Sequence, residues 1–487
     1  MHSPRVSAPR RLDDLPGPKG LPIVGNALGL DVERLHESLE AWIDEYGSYY
    51  TIKLGPKRAL VTCDHAAMRE VLRARPDAFR RPEKMKRVFA EVRTDGVFTA
   101  EGSSWKRQRK LMMAALSPRT IQKDFGTVKR SVERLASLWS QHAGRGDSVE
   151  ADAEFQRFAV DVATSVAFGV DVNTVEKGQT ELRQYLELMF PTINRRVNST
   201  VPYWRWFKLP RDRAFDRALA VLRDKVGVLI ADARRRLEED PSRAEHPADL
   251  IEAMLVAHDD ENEAMRVTDD EIFANALTLL IAGEDTTSNT AAWMFDHLAR
   301  DPELQSRLRE EIHRELGPDG IADDPRALSR LPLLDAVVQE TLRLRSAAPL
   351  MFFESYENQR VGDVEVDPEV LIIFLTRKAA LDEGVFDDAA RFDPDRWLEA
   401  AAGSERTHDP AAVLAFGYGP RICPGRSLAL LELSLLGAAL TARFEYSPVS
   451  ATPPSELFQF TMGPTEVRLK LKAAAAASPA ELSASAE

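Results

Sequence analysis

Apolar residues recur at helical spacing along most of the 487-residue chain. The spacing predicts helices over 33–46, 103–116, 120–142, 150–168, 179–196 and 211–239. Pro, Gly or polar clusters such as Ser117-Pro118 and Gly144-Arg145-Gly146 fill the breaks. A longer pattern runs from Thr268 to Arg300, with Thr268 as N-cap and Glu271 three residues on to complete a capping box. Asp301-Pro302 restarts a helix as its cap and first residue. Further helices are expected over 333–344 and 425–442. Runs rich in β-formers predict strands at Tyr49–Leu54 and Arg58–Thr62, split by Gly55-Pro56, and again within 350–375 and 457–471. The stretches 80–99 and 382–423 read as irregular. No repeat and no clear linker appears. The expected fold is mainly α with small β-sheets (α+β), one large helix-rich domain over residues 15–472. Residues 1–14 read as a flexible N-terminus and 473–487 as a disordered Ala/Ser tail.

Composition narrows the class. With 44% hydrophobic and 29% charged residues, the chain can bury a sizeable core, which excludes a disordered or collagen-like protein. Net charge is −13, which argues against a nucleic-acid binder. Cys63 and Cys423 are the only cysteines and neither sits in a CxxC, so a disulfide framework is excluded and a reducing cytoplasm is expected. The start is polar and proline-rich, without a signal core. No apolar run approaches the ~18 residues of a transmembrane anchor. The longest, Ile272–Gly283, ends at Glu284-Asp285.

The most informative segment runs from Phe416 to Arg426, FGYGPRICPGR. Gly417 and Gly419 admit backbone angles closed to other residues and allow a flat ligand to approach. Cys423 stands just before a helix that begins near Pro424 and Gly425, where the helix N-terminus steadies a thiolate. Phe416 would shield the sulfur and Arg421 supplies a cation. An isolated cysteine beside a turn is most often structural, but this whole loop demands an explanation. Zinc does not fit, because no second Cys or His stands at ligand spacing.

This loop resembles the heme-thiolate loop of the cytochrome P450 family, FxxGxRxCxG, at every fixed position. The likeness continues in the family's order: LPGP at Leu15, WxxxR at Trp105–Arg109, AGxDT at Ala282–Thr286, ExxR at Glu340–Arg343, and the motif around Arg396. The resemblance implies Cys423 as the iron ligand of heme b (iron protoporphyrin IX). Phe416, Gly417, Gly425, Trp105, Arg109 and Arg421 would surround the cofactor or its propionates. Glu340, Arg343 and Arg396 would form a buried structural triad, although such a pair alone is usually a solvated contact. Thr286 would donate a hydrogen bond to bound dioxygen and Asp285 would relay protons, in a helix where Gly283 and its polar neighbours favour a local bulge. The substrate walls would include Val88, Phe89, Phe98, Leu279, Ala282, Gly283, Ala348, Leu350, Met351 and Phe460. They are mostly apolar, which favours a lipophilic substrate.

Two departures from the family pattern concern the propionates. Pro349 is followed by Leu-Met-Phe-Phe-Glu354 with no basic residue, and Lys378 stands where His is frequent. The aromatic segment Val201–Phe207 reads equally as core or as an entrance lip. The chain has no flavin or iron–sulfur segment. Electrons from NAD(P)H must therefore arrive through a ferredoxin- or flavodoxin-type donor and its reductase. The basic residues Lys106, Arg107, Arg109, Lys110 and Arg426 offer a docking face, or simply a solvated one. A monooxygenase acting on O2 is the leading expectation. A peroxygenase or isomerase of the same fold, and a non-enzymatic heme-binding sensor, remain the alternatives.

Overall fold

The computed structural model describes residues 9–116, 118–178, 181–186, 188–199, 201–257, 267–401 and 408–474. Ser117, residues 1–8 and the tail from 475 onward lie outside them. The chain divides into two compact units: 1–87, 348–391 and 406–423 in the first, and 88–347, 392–405 and 424–487 in the second.

The first unit is built on a five-stranded sheet. Tyr49–Leu54 and Lys57–Thr62 form an antiparallel hairpin, with Tyr49 opposite Thr62 and Leu54 opposite Lys57. Its turn, Gly55-Pro56, uses a left-handed glycine at φ 62°. Lys57–Thr62 then pairs in parallel with Leu371–Leu375, which pairs antiparallel with Leu350–Ser355. Leu371–Leu375 reads as continuous apolar sequence, LIIFL, because it is almost wholly buried on both faces. Phe353 and Phe374 meet with ring centroids 5.2 Å apart. Arg10 and Arg11, expected in a flexible lead-in, instead form a strand parallel to Val364–Glu365. Two hydrogen bonds from Arg10 to Asp363, at 2.7 and 2.8 Å, hold it there.

The second unit is helical. Its longest helix, Asp269–Arg300, is hereafter the central helix. The predicted capping box is present: Glu271 N donates to Thr268 Oγ1 at 3.2 Å and Thr268 N to Glu271 Oε2 at 3.1 Å. Three acids occupy the first turn and Arg300 the last, each matching the helix dipole. Asp301 ends this helix and caps the next, Pro302–Leu316, accepting from Leu304 N at 2.9 Å. The central helix packs most extensively on Ala151–Phe168, and also on Arg426–Arg443. Trp139, Phe155, Phe295, Phe444 and Tyr446 form an aromatic core with centroids 5.0–5.9 Å apart. The stretch predicted as one helix over 179–196 is two, Glu181–Leu186 and Met189–Asn198. The expected strand region near the end resolves into a hairpin, Glu456–Phe458 with Met462–Pro464, and a strand, Arg468–Ala473, between Phe444–Pro448 and Ser148–Glu150.

Candidate active site

In the first unit, backbone bonds hold the cysteine loop. Gly417 N donates to Leu414 O at 2.8 Å, Ile422 N to Gly419 O at 3.1 Å, and Cys423 N to Phe416 O at 2.9 Å. Gly417 and Gly419 are left-handed, at φ 70° and 71°. A Cβ on Gly419 would lie 2.6 Å from Leu72 O, so helix His65–Ala74 seats directly against the loop. Two arginines of that helix grip Tyr418. Arg69 and Arg73 donate to its hydroxyl at 3.2 and 3.3 Å, and their guanidiniums lie 4.6 and 5.6 Å from its ring centre. Bonds from Arg73 and Arg69 hold this phenol down at about 8. The two cysteines contrast: Cys423 is exposed, whereas Cys63 is buried and burial pushes its thiol up to about 11. An exposed sulfur on a rigid glycine loop, with half-buried Phe416, Gly417 and Arg421 beside it, suits a soft iron-bound ligand. Of the expected walls, Leu350 is buried, whereas Ala348 and Met351 are half-buried. Thr376 Oγ1 donates to Ala348 O at 2.6 Å, and Leu350 and Met351 pair with Leu375 and Phe374. Lys378 is engaged with Asp44 at 2.8 Å.

In the second unit, the central helix runs unbroken through Gly283, without the expected bulge. The hydroxyls explain this. Thr286 Oγ1 donates to Ala282 O at 2.6 Å, Ser288 Oγ to Glu284 O at 2.7 Å and Thr290 Oγ1 to Thr286 O at 2.8 Å. Each satisfies itself on the carbonyl one turn back and leaves the backbone ladder intact. Ala282 is exposed, with Gly283, Asp285 and Thr286 half-buried beside it. Gly283 faces helix Ala151–Phe168, where an added Cβ would stand in ordinary contact, 3.4 Å from Ala163 Cβ. Asp285 is not bonded to Thr286. Its Oδ2 accepts from Thr461 Oγ1 at 3.3 Å, and burial pushes the carboxyl up to about 6. Thr287 hydrogen-bonds a second buried acid, Glu432, whose carboxyl burial raises to about 8.

Three of the expected wall residues converge from separate segments. Phe89, Phe98 and Phe460 lie with centroids 5.3–6.0 Å apart. Val88 and Leu279 are buried. Asn275 fixes this region, because its Oδ1 accepts from Val97 N at 2.8 Å and its Nδ2 donates to Gln108 Oε1 at 2.9 Å. Gln108 sits on helix Gly102–Ala115, which also carries buried Trp105 and half-buried Arg109. Arg107, one of the basic residues read equally as a docking face or a solvated one, pairs with Glu271. The aromatic segment divides its roles. Trp204 is buried and donates to Glu91 at 2.7 Å, whereas Trp206 and Phe207 are exposed.

The triad assembles as expected and is fully buried. Glu340 accepts from Arg343 Nε and Nη2, both at 2.8 Å, and from Arg396 Nε at 3.0 Å. It also accepts from Trp397 Nε1 and Asp393 N, both at 2.9 Å. Sequence reasoning gave no role to Trp397, Tyr418, Glu432 or Thr461. Glu432 had a visible signal, a lone acid in the apolar run LALLELSLLGAAL. Thr461 had none.

The sequence profile described as Cytochrome P450 matches residues 15–471. The human mitochondrial 25-hydroxyvitamin D-1 alpha hydroxylase is 29% identical, over 92% of this chain and 90% of its own. The pentalenene oxygenase of Streptomyces avermitilis is 27% identical, over 94% and 96%. The crystal structure of a cytochrome P450, CYP102L1, superposes with a TM-score of 0.82 at 21% identity, over 94% of this chain and 99% of that one. Among the described residues no helix is long and apolar enough to cross a membrane. The expected fold class therefore holds, and two of these relatives are a hydroxylase and an oxygenase by name. The chain belongs to the cytochrome P450 family of oxidoreductases.

Proposed function

We propose that this enzyme inserts one oxygen atom of O2 into a lipophilic small molecule, of fatty-acid, terpenoid or steroid-like type. The observation that carries this reading is the exposed Cys423 sulfur on its left-handed glycine loop, in the same chain as Asp285-Thr286 on the central helix. Heme b ligated by Cys423 supplies the oxygen-activating centre when bound. Phe416 shields the sulfur, and Trp105, Arg109 and Arg421 serve the propionates. Asp285 takes protons from solvent, and Thr286 presents a hydroxyl to the oxygen site. Phe89, Phe98 and Phe460 give the substrate cavity an aromatic wall. The names of two relatives, 25-hydroxyvitamin D-1 alpha hydroxylase and pentalenene oxygenase, favour a lipophilic molecule as well. Electrons come from NAD(P)H through a ferredoxin- or flavodoxin-type donor and its reductase, in the cytoplasm.

The test is spectroscopic. The reduced carbon monoxide complex should show the red-shifted Soret band of a thiolate heme. Cys423→His should abolish that band and Cys63→Ser should keep it. Survival of the band in Cys423→His would sink the assignment. Substrate class is then read from a terpenoid, steroid and fatty-acid panel, by spectral shift and by product formed with a surrogate reductase system.

A further inference from the structure

The hairpin Glu456–Phe458/Met462–Pro464 closes on a tight turn in which Gln459 N donates to Thr461 O at 3.0 Å. Three contacts seat this turn. Phe460 packs on Phe89 and Phe98, with centroids 5.8 and 6.0 Å away. Met462 N donates to Ala347 O at 2.9 Å. A Cβ on Gly463 would lie 2.5 Å from Asn289 Oδ1, so the strand presses directly on the Asn289 side chain.

Thr461 is thereby set between two residues one helical turn apart. Its Oγ1 accepts from Asn289 Nδ2 at 3.4 Å and donates to Asp285 Oδ2 at 3.3 Å. An amide nitrogen can only donate, so Asn289 orients the hydroxyl and leaves its proton for the carboxylate. The chain of bonds has one direction, from Asn289 through Thr461 to Asp285. Among the described residues no charged side chain pairs with Asp285. On the helices packed against it, Asp161 is bonded by Thr174 and Glu432 by Thr287. Burial disfavours the ionised acid, and the Thr461 bond is what opposes it.

We propose that Thr461, oriented by Asn289, is the positioning residue that holds Asp285 in place and ionised for proton delivery. This rests on the reading of Asp285 as the relay acid. The turn that carries Thr461 also carries Phe460, so the acid is positioned by the same backbone that forms the substrate wall.

An infrared titration of the heme-loaded protein tests it, with the Asp285 carboxyl band isolated by subtracting Asp285→Asn. The wild-type midpoint is expected near pH 6. Thr461→Val, nearly isosteric, should raise it by about one pH unit. Thr461→Ser should restore it, and Asn289→Ala should raise it by less. The acid limb of product formed per NAD(P)H oxidised should move in parallel. An unchanged midpoint in both Thr461→Val and Asn289→Ala overturns the proposal, while a limb lost in Asp285→Asn would leave the relay reading standing. If Asp285→Asn keeps full coupling at every pH, the relay reading itself fails.

Discussion

Glu340 and Asp285 are both acids on helices of the second unit, and they are treated in opposite ways. Glu340 accepts five hydrogen bonds, three of them from guanidiniums, all between 2.8 and 3.0 Å. Asp285 has one neutral partner at 3.3 Å, and Glu432 has one in Thr287. A carboxylate that accepts from three guanidinium N–H groups is locked in place, and breaking that set in a buried site is costly. A carboxyl with a single hydroxyl partner lies near its protonation midpoint, so it can take up and release a proton at modest cost. One acid is braced by cations and the others by a neutral hydroxyl each. The difference lies in the number and charge of the donors rather than in the acid itself.

The largest effect should come from breaking the locked cluster. Arg343→Ala removes two of the five donors and leaves Glu340 buried with too few cations. Breaking such a pair costs about 3–5 kcal/mol. The expected outcome is aggregated or heme-free protein, scored by heme content after purification. Well-folded, heme-replete protein with only slower turnover would erase the distinction between the two sites. Trp397→Phe removes a single neutral donor and should cost only about 1 kcal/mol, seen as a modest drop in denaturation midpoint.

Thr286→Ala acts next to Asp285 and should leave folding intact. Its hydroxyl proton is directed at Ala282 O, so its oxygen can still accept from a water. Loss of one well-placed polar group in a preorganised site costs on the order of 10²-fold in rate. The enzyme should still consume NAD(P)H but release mainly hydrogen peroxide. The measurement is product formed per reductant oxidised, with peroxide quantified. Unchanged coupling would reduce Thr286 to a helix residue and favour a peroxygenase or isomerase.

The locked cluster was legible in the sequence, and the surroundings of Asp285 only in part. Glu340 and Arg343 share a helix face, and Arg396 follows in a recognisable motif. Each needed only local spacing to be found. The capping box at Thr268 was readable for the same reason, since a cap is decided within four residues. Thr461 reaches Asp285 across 176 residues of chain, and no pattern in a single sequence carries that pairing. The missing bulge at Gly283 has a different cause. Polar residues in mid-helix can bond back to their own helix or divert it, and packing decides which. The division of 179–196 into two helices shows the same limit on reading continuity from periodicity.

The smallest effect, and the finest test of the comparison, is Glu432→Gln. Burial raises the Glu432 carboxyl from its ordinary 4.5 to about 8, so the folded protein holds it neutral near pH 7. Below pH 4.5 both folded and unfolded chains are protonated here, and the group costs nothing. As pH rises toward 8 the unfolded chain releases the proton and the folded chain keeps it, so wild-type stability falls. Glutamine is neutral throughout, and its amide oxygen can still accept from Thr287. The two proteins should therefore unfold together near pH 4.5. At pH 8 the variant should be the more stable, by a few degrees in Tm. Asp285 contributes a slope of the same sign over a shorter window, from 3.8 to about 6. Glu340→Gln should do the reverse, destabilising the protein at neutral pH, because its guanidinium partners keep their charge and lose its own. The check is a thermal unfolding series from pH 4.5 to 8 on all three proteins. A Glu432→Gln variant that follows the wild-type slope would mean that Glu432 is ionised in the folded protein, and would place it with Glu340 among the locked charges.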